Sequence, residues 1–193
     1  EHLVFDGYKT ESILHLVPEL GDKCIILNGV AKTYAMTGWR VGWVIASKEI
    51  IKAISNLQSH STSNVNNMAQ YAAIAALNGD LKAVEEMREA FQRRGYAMHE
   101  MLSAIPKVIS TKPQGAFYCF PSFEAYIGST MAGIKVESTA QLCEIFLEEI
   151  LVACVPGEAF GAPGYIRLSF ALGDEDAKEG VNRIASLCES ATW

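Results

Sequence analysis

Residues 27–43 read LNGVAKTYAMTGWRVGW, a stretch with one lysine and, eight positions later, one arginine among small, apolar and aromatic residues. Burial in such surroundings disfavours the charged form of an amine, so Lys32 is expected to lose its proton readily. A neutral lysine amine is a nucleophile toward aldehydes and forms Schiff bases. The spacing alone favours a simpler interpretation, in which Lys32 is a surface lysine and Arg40 begins an edge strand.

An aldehyde cofactor would explain both charged residues. Pyridoxal phosphate (PLP) is the common aldehyde cofactor for a Schiff-base lysine, and its phosphate dianion needs hydrogen-bond donors. Arg40 suits that phosphate because a guanidinium fork bonds two oxygens at once. Gly29 and Gly38 would let the backbone approach the cofactor closely, because glycine has no side chain.

Hydrophobic periodicity predicts a mixed α/β chain with two parts. The first part has two apolar runs of strand length, residues 24–27 and 41–46, which we interpret as buried strands. Buried strands need neighbours on both sides, and residues 1–85 do not supply them, so we expect strands from a missing N-terminal part or another chain. The second part is a self-contained α+β module that begins inside a long helix, near residue 90. The other predicted elements are strands at 108–111, 116–120, 152–155 and 165–170, helices that begin at Ser47, Asp80, Ser138 and Asp174, and an alanine-rich helix that runs to Leu77 and stops at Asn78-Gly79.

The residue types around the lysine are a more specific signal than the separation of Lys32 and Arg40. GVAK at 29–32 and AMTGWRVG at 35–42 resemble the cofactor-attachment signature of class I PLP-dependent aminotransferases. That signature has small residues three before and directly before the lysine, then an arginine eight after it, followed by an aliphatic and a small residue. The whole chain resembles the C-terminal half of such an enzyme, and AMTGWR is similar to the bacterial aspartate aminotransferase subgroup.

The resemblance implies an α/β fold with two domains. Residues 1–88 would be the C-terminal part of the large PLP-binding α/β domain, and residues 89–193 the small α+β C-terminal domain of the fold type I aminotransferases. It also implies a homodimer, in which the polar segment 59–66, interpreted from its composition as an exposed loop, would cross to the other subunit's site.

The resemblance also assigns roles to individual residues. Lys32 would bind PLP as a Schiff base and act as the general base that moves the proton between Cα and C4′. Arg40 would hold the cofactor phosphate, with Gly29 at the small position beside it. Arg167 would grip the α-carboxylate of the substrate, and the ring of Phe117 would border the substrate pocket. Taken alone, Phe117 is more simply a core residue.

The setting of Arg167 is compatible with that role. On a strand over 165–170, Arg167 shares one face with Tyr165 and Ser169, while the apolar residues at 166, 168 and 170 form the other face. A bidentate arginine fixes a carboxylate in position and orientation. A lone arginine on a strand is usually solvated or ion-paired, so the assignment rests on the resemblance.

The chain departs from the family pattern in two ways. Many relatives carry a serine where this chain has Gly29, so one phosphate donor is absent. The family has roughly twice this length, and its partner for the pyridine nitrogen, its ring-stacking aromatic and its glycine-rich phosphate turn lie upstream of a segment that resembles residues 1–5. We therefore expect a truncated enzyme. The 193-residue chain alone should not transaminate efficiently, because the pyridinium partner makes the ring an electron sink.

Other functions on the same fold stay open, because a fold does not determine its chemistry. A C–S lyase or an aminocyclopropane-carboxylate synthase would use the same lysine and arginines. A PLP-sensing domain of a transcription regulator would carry an upstream helix-turn-helix instead of an aminotransferase N-terminal half, and a plain interaction module is a further alternative. Aspartate with 2-oxoglutarate is the substrate pair that the resemblance implies, and prephenate or other keto acids are alternatives.

The composition of the chain limits the cellular locations and the classes of binding partner that we expect for the protein. The net charge of −6 and the lack of a basic run give a nucleic-acid partner no electrostatic support. No apolar stretch is long enough to span a membrane, and no signal peptide is recognisable. The five cysteines lack metal-ligand or CxxC spacing, and the four histidines are scattered. We therefore expect no metal and a cytoplasmic protein with reduced thiols.

Overall fold

The chain folds into two compact units. The computed structural model describes all of residues 1–193. One unit contains Glu1–His2 and Gly7–Met87, and the other contains Leu3–Asp6 and Arg88–Trp193. Both units combine helices with antiparallel strands, so the predicted mixed α/β class is confirmed. None of the helices has the length and apolar character needed to cross a membrane.

The first unit is built from helices around one pair of strands. Strands β1 and β2 are antiparallel, with Gly29 opposite Gly42. Helix α4 begins in this unit and continues into the other one. The elements in chain order are α1 (Ile13–Leu16), β1 (Ile26–Gly29), β2 (Gly42–Ile45), α2 (Lys48–Ser61), α3 (Asn67–Asn78) and α4 (Lys82–Ala104).

Two side-chain caps explain where α2 and α3 begin. Ser47 accepts a hydrogen bond from the N–H of Ile50, as its position before an apolar helical pattern predicts, and Asn66 accepts one from Ala69. The prediction of a loop over 59–66 is wrong in its first part, because α2 continues to Ser61. Polar side chains on the exposed face of a helix do not interrupt it, so composition alone misplaced this boundary.

The strands lie close to their predicted positions, but they are not buried. The first apolar run was expected at 24–27, whereas β1 covers Ile26–Gly29. Leu27 is 75% exposed and Ile45 is 57% exposed, so the prediction of two buried strands is wrong for this chain. A pair of strands has two faces and two edges. The other elements of the first unit cover only part of them, so apolar side chains of β1 and β2 stay exposed.

The second unit has a continuous apolar core. It contains the helices α4, α5 and α6 and a three-stranded antiparallel sheet with the strand order β3–β7–β6. Strands β4 and β5 form a separate pair. The core includes fully buried aromatic side chains such as Phe123, Phe146 and Phe170. The remaining elements are β3 (Tyr118–Cys119), β4 (Thr130–Met131), β5 (Ile134–Lys135), α5 (Thr139–Ile150), β6 (Val155–Pro156), β7 (Ile166–Ser169) and α6 (Asp174–Glu189).

All four predicted strands of this unit are shorter than predicted; the one expected at 152–155 is Val155–Pro156, and the one expected at 165–170 is Ile166–Ser169. The expected strand at 108–111 is reduced to one isolated bridge between Ile109 and Ser122. The expected strand at 116–120 is only Tyr118–Cys119, because Ala116 adopts a left-handed conformation with φ of 59° and so interrupts the extended backbone. Apolar composition shows where a strand can form, but this turn decides where it starts.

The N-terminal segment Leu3–Asp6 belongs to the second unit, which periodicity did not predict. Phe5 is fully buried, and its N–H donates to the carbonyl of Gln114 at 3.0 Å. The N–H of Ala116 donates to the carbonyl of Leu3 at 2.7 Å. Gly115 permits this approach, since a Cβ there would lie 2.6 Å from the same carbonyl oxygen.

An ion-pair cluster joins α4 to the start of α6. Asp174 accepts from Arg93 at 2.6 Å and from Arg94 at 3.1 Å, and the hydrogen bond from Arg93 holds the pKa of this carboxyl below its usual 3.8. A carboxyl whose pKa is lower in the folded state stabilises the protein at pH values above its unfolded-state pKa. This stabilisation is lost as the pH falls through its folded-state pKa.

We therefore expect Asp174→Asn to lower the free energy of unfolding of the complete gene product at pH 7. The loss should be small because the pair is partly exposed, and it should shrink as the pH falls from the ordinary carboxyl pKa of about 3.9 through the lower pKa of the folded state. Denaturant titration at several pH values measures it. Asp176→Asn removes a charge from the same helical turn without breaking this pair, and an equal, pH-independent loss in both variants would contradict the prediction.

Candidate active site

Lys32 lies in the loop that connects β1 to β2. The ends of this loop are joined by a hydrogen bond from the N–H of Val30 to the carbonyl of Val41 at 3.3 Å. Val30 is fully buried and Thr33 nearly so, whereas Lys32 is exposed. The expectation that its sequence neighbours would desolvate Lys32 is therefore wrong for this chain, because Val30 and Thr33 are buried whereas Lys32 is exposed.

Arg40 ends the same loop. It follows a 3₁₀ turn over Thr37–Trp39 and adopts a left-handed conformation, with φ of 56° and ψ of 46°. This conformation is uncommon outside glycine, and it excludes the alternative in which Arg40 begins an edge strand. Its Nη1 donates to the carbonyl of Thr37 at 2.8 Å, which ties the guanidinium to the turn. A guanidinium has five N–H donors, so this bond is compatible with anion binding.

Gly29 is required by the pairing of the two strands. A Cβ at this position would lie 2.8 Å from the carbonyl oxygen of Val41 and 3.1 Å from the Cα of Gly42. Both are backbone atoms, so relief of the contact would need a movement of β2. This packing favours glycine at position 29. A role for Gly29 beside the cofactor stays a prediction.

The substitution Gly29→Ser is therefore expected to destabilise the complete gene product by about 1–3 kcal/mol, the usual cost of overpacking. Gly38→Ser is the matched control, because a Cβ at Gly38 meets nothing within 4 Å. Chemical denaturation of both variants tests the expectation. An equal effect of the two substitutions would show that the strand contact does not decide the residue at position 29.

Arg167 lies on the central strand β7 of the second unit. The predicted alternation is observed, since Ile166 and Leu168 are buried, Arg167 is half-buried and Ser169 is exposed. Arg167 pairs with Val155 of β6 in the antiparallel register. The sheet therefore directs the apolar face of β7 to the core and the arginine to the opposite face.

Two aromatic rings contact the guanidinium of Arg167. Its Cζ lies 4.4 Å from the ring centroid of Tyr118 and 4.8 Å from that of Phe160. The first contact follows from strand order, because Tyr118 is opposite Ser169 on the neighbouring strand β3. Phe160 lies in a 3₁₀ turn after β6, and no sequence pattern predicted its approach to the arginine.

Phe117 packs at the edge of the core. Its ring centroid lies 5.9 Å from that of Phe91 and 4.4 Å from that of Tyr118, and its carbonyl accepts from the N–H of Phe170 at 2.9 Å. These contacts agree with a core residue. They also place Phe117 next to one of the rings on Arg167, so its assignment to a substrate pocket stays a prediction.

The predicted site residues thus form two groups. Gly29, Lys32 and Arg40 lie in or next to one loop of the first unit, where an amine and a guanidinium can serve an aldehyde and an anion. Phe117 and Arg167 lie in the second unit, where the guanidinium can serve a carboxylate. The roles of these residues toward a cofactor and a substrate stay predictions.

Comparison with known proteins gives consistent matches. The sequence profile of the family described as aminotransferase class I and II matches residues 1–184. An aspartate aminotransferase from Streptomyces avermitilis is 58% identical over 191 residues, which cover 99% of this chain and 47% of the relative. One from Geobacillus stearothermophilus is 45% identical, with 98% and 47% covered. The chain therefore spans about half the length of the curated relatives it matches.

Solved structures share the fold over nearly the whole chain. The crystal structure of an aspartate aminotransferase from Rhizobium meliloti superposes with a TM-score of 0.94 at 36% identity, covering 99% of this chain and 48% of the other. That of an aromatic aminotransferase from Pyrococcus horikoshii gives a TM-score of 0.87 at 35% identity, with 98% and 49% covered.

Proposed function

Because the chain belongs to the class I and II aminotransferases, we propose that it forms the C-terminal half of an enzyme that transfers an amino group between an L-amino acid and a 2-oxo acid. Aspartate and 2-oxoglutarate are the proposed substrates, and PLP is the proposed cofactor. The observation that carries the proposal is the β1–β2 loop, which holds both Lys32 and Arg40. Relatives named aspartate aminotransferase support the choice of amino acid.

The residues of the loop fit PLP. Lys32 offers an exposed amine for the aldehyde, and Arg40 offers a guanidinium, held by the carbonyl of Thr37, for the phosphate. Bound PLP serves as an electron sink that makes the proton on the substrate Cα removable. The apolar residues of β1 and β2 that are exposed in this chain support further strands from the rest of the protein.

Each proposed site residue has one task in the reaction. Lys32 would hold PLP through its amine. With the cofactor bound, its Nζ would act as the general base for the proton on the substrate Cα. Arg167 would hold the α-carboxylate by two parallel hydrogen bonds, which fix the position and orientation of the substrate. Phe117 borders the substrate beside Tyr118.

Domains, assembly and location complete the proposal. Residues 1–88 are proposed to belong to the large PLP-binding domain and residues 89–193 to the small one, with Leu3–Asp6 packed in the second unit. A homodimer is supported by α3, where Met68 is 74% exposed and Tyr71 is 75% exposed.

Five free cysteines support a reducing compartment, namely the cytoplasm. Residues 1–193 alone are proposed to lack transaminase activity.

Reduction with borohydride tests the proposal. The complete gene product is incubated with PLP and reduced, and the modified peptide is mapped by mass spectrometry. We expect one pyridoxyl group on Lys32, together with 2-oxo acid formation from aspartate that requires an amino acceptor. Pyridoxyl groups distributed over several surface lysines, or release of ammonia without an amino acceptor, would overturn the proposal. The same reaction on residues 1–193 shows whether this part holds the cofactor alone.

A further inference from the structure

Arg167 differs from other arginines of the second unit in its partners. Arg93 and Arg94 pair with Asp174, and Arg183 pairs with Glu179. Arg167 forms no ion pair with a carboxylate of the chain, although it is half-buried. Its guanidinium instead lies over the faces of two rings, those of Tyr118 and Phe160. A half-buried cation held in this way has its charge available for an anion from outside the chain.

The ring of Phe160 is itself held by other aromatic side chains. Phe120 meets it edge to face, with centroids 5.9 Å apart and an angle of 89°. Phe120 also stacks on Tyr165, with centroids 5.2 Å apart and an angle of 24°. Phe120 and Tyr165 belong to the same side of the sheet as Arg167, because side chains alternate along a strand.

The backbone of the turn that carries Phe160 is also tightly held. A Cβ on Gly157 would collide with the carbonyl oxygen of Ala162, so no other residue fits without a shift. The hydroxyl of Thr139, which is fully buried, donates to Glu158 at 2.7 Å and accepts from the N–H of Gly164 at 3.1 Å. This bond joins the turn to the start of α5, so the position of Phe160 is set by the fold.

We propose that Tyr118 and Phe160 are positioning residues that hold the guanidinium of Arg167 for the α-carboxylate of the substrate. The inference rests on the proposed function and extends it to two residues that the signature does not contain. A ring face attracts a cation through its quadrupole and uses none of its N–H donors. The guanidinium is therefore oriented while its hydrogen-bonding fork stays available for a carboxylate, and less rotamer entropy is lost on binding.

The test uses variants of the complete gene product in steady-state kinetics with L-aspartate. Phe160→Leu should raise KM by about tenfold, because a desolvated cation–π contact is worth roughly that factor, and should lower kcat less than Arg167→Ala does. Phe160→Tyr keeps a ring face and should restore KM. In an Arg167→Ala background, Phe160→Leu should cause no further rise, since the two residues act on one interaction. Tyr118→Leu should behave as Phe160→Leu does.

A matched control separates positioning from a general effect of removing an aromatic residue. Trp193→Leu removes another cation–π contact of this unit, with Lys107 at 3.3 Å, and should leave KM unchanged. An unchanged KM in Phe160→Leu, or a rise that persists in the Arg167→Ala background, would overturn the inference while amino transfer by the parent enzyme upholds the proposed function. If the parent enzyme transfers no amino group, both fall.

Discussion

Replacement of Lys32 by alanine is expected to lower the rate of amino transfer by the complete gene product by about four orders of magnitude. This is the upper end of what one general base contributes, and Lys32 is proposed to supply both that base and the covalent attachment of the cofactor. Single-turnover assays with aspartate, followed by the formation of the 2-oxo acid, measure the loss. Borohydride reduction should then leave no pyridoxyl group on the peptide that contains residue 32.

Lys52→Ala provides the control, because Lys52 is an exposed lysine of α2 in the same unit. This variant should keep the parent activity and a pyridoxyl group on Lys32. Activity of Lys32→Ala within tenfold of the parent would mean that another amine performs the chemistry. The β1–β2 loop would then have only a structural role, and the proposed function would lose the observation on which it depends.

The second large effect is expected for Arg167→Ala, which should raise KM for L-aspartate by about a hundredfold. A charge-assisted hydrogen bond contributes roughly 1.5–3 kcal/mol, and the proposed bidentate contact contains two of them. Part of the loss should appear in kcat, because the α-carboxylate also orients the Cα–H bond. Arg167→Lys should recover only part of the affinity, since an ammonium group lacks the planar fork.

Arg183→Ala is the control for this substitution. Arg183 belongs to the same unit and is engaged by Glu179 at 2.8 Å and by the carbonyl of Ile150 at 3.2 Å. Its removal should affect stability but not KM. A similar rise of KM in both variants would show that the loss follows from destabilisation of the unit, and Arg167 would then have no specific role in carboxylate binding.

Features that depend on neighbouring residues were predicted well from the sequence. Ser47 caps α2 and Ser138 caps α5 as expected, because a cap needs only a hydroxyl and an N–H three residues later. The two faces of β7 around Arg167 also follow from a local rule, the alternation of side chains. The mixed α/β class needed no more than these periodicities and the positions of glycine and proline.

Features that depend on distant residues were missed or misplaced. Two misplaced boundaries are local, the end of α2 and the start of β3, and the second follows from the left-handed conformation of Ala116, which residue composition does not report. The burial of β1 and β2 was wrong because burial depends on which other strands are present. The contact of Phe160 with Arg167 depends on the turn after β6, whose path is set by Gly157 and its contacts with Ala162 and Tyr165.

The sequence by itself therefore determined which reactive groups the proposed chemistry would use, because an amine, two guanidinium groups and their spacing are properties of the chain. It also determined the local elements that carry them. Only the tertiary structure decided that Lys32 is exposed, that Leu3–Asp6 joins the second unit and that two rings hold Arg167. Exposure and ring contacts arise when segments far apart in the chain pack together, and no local pattern encodes that packing.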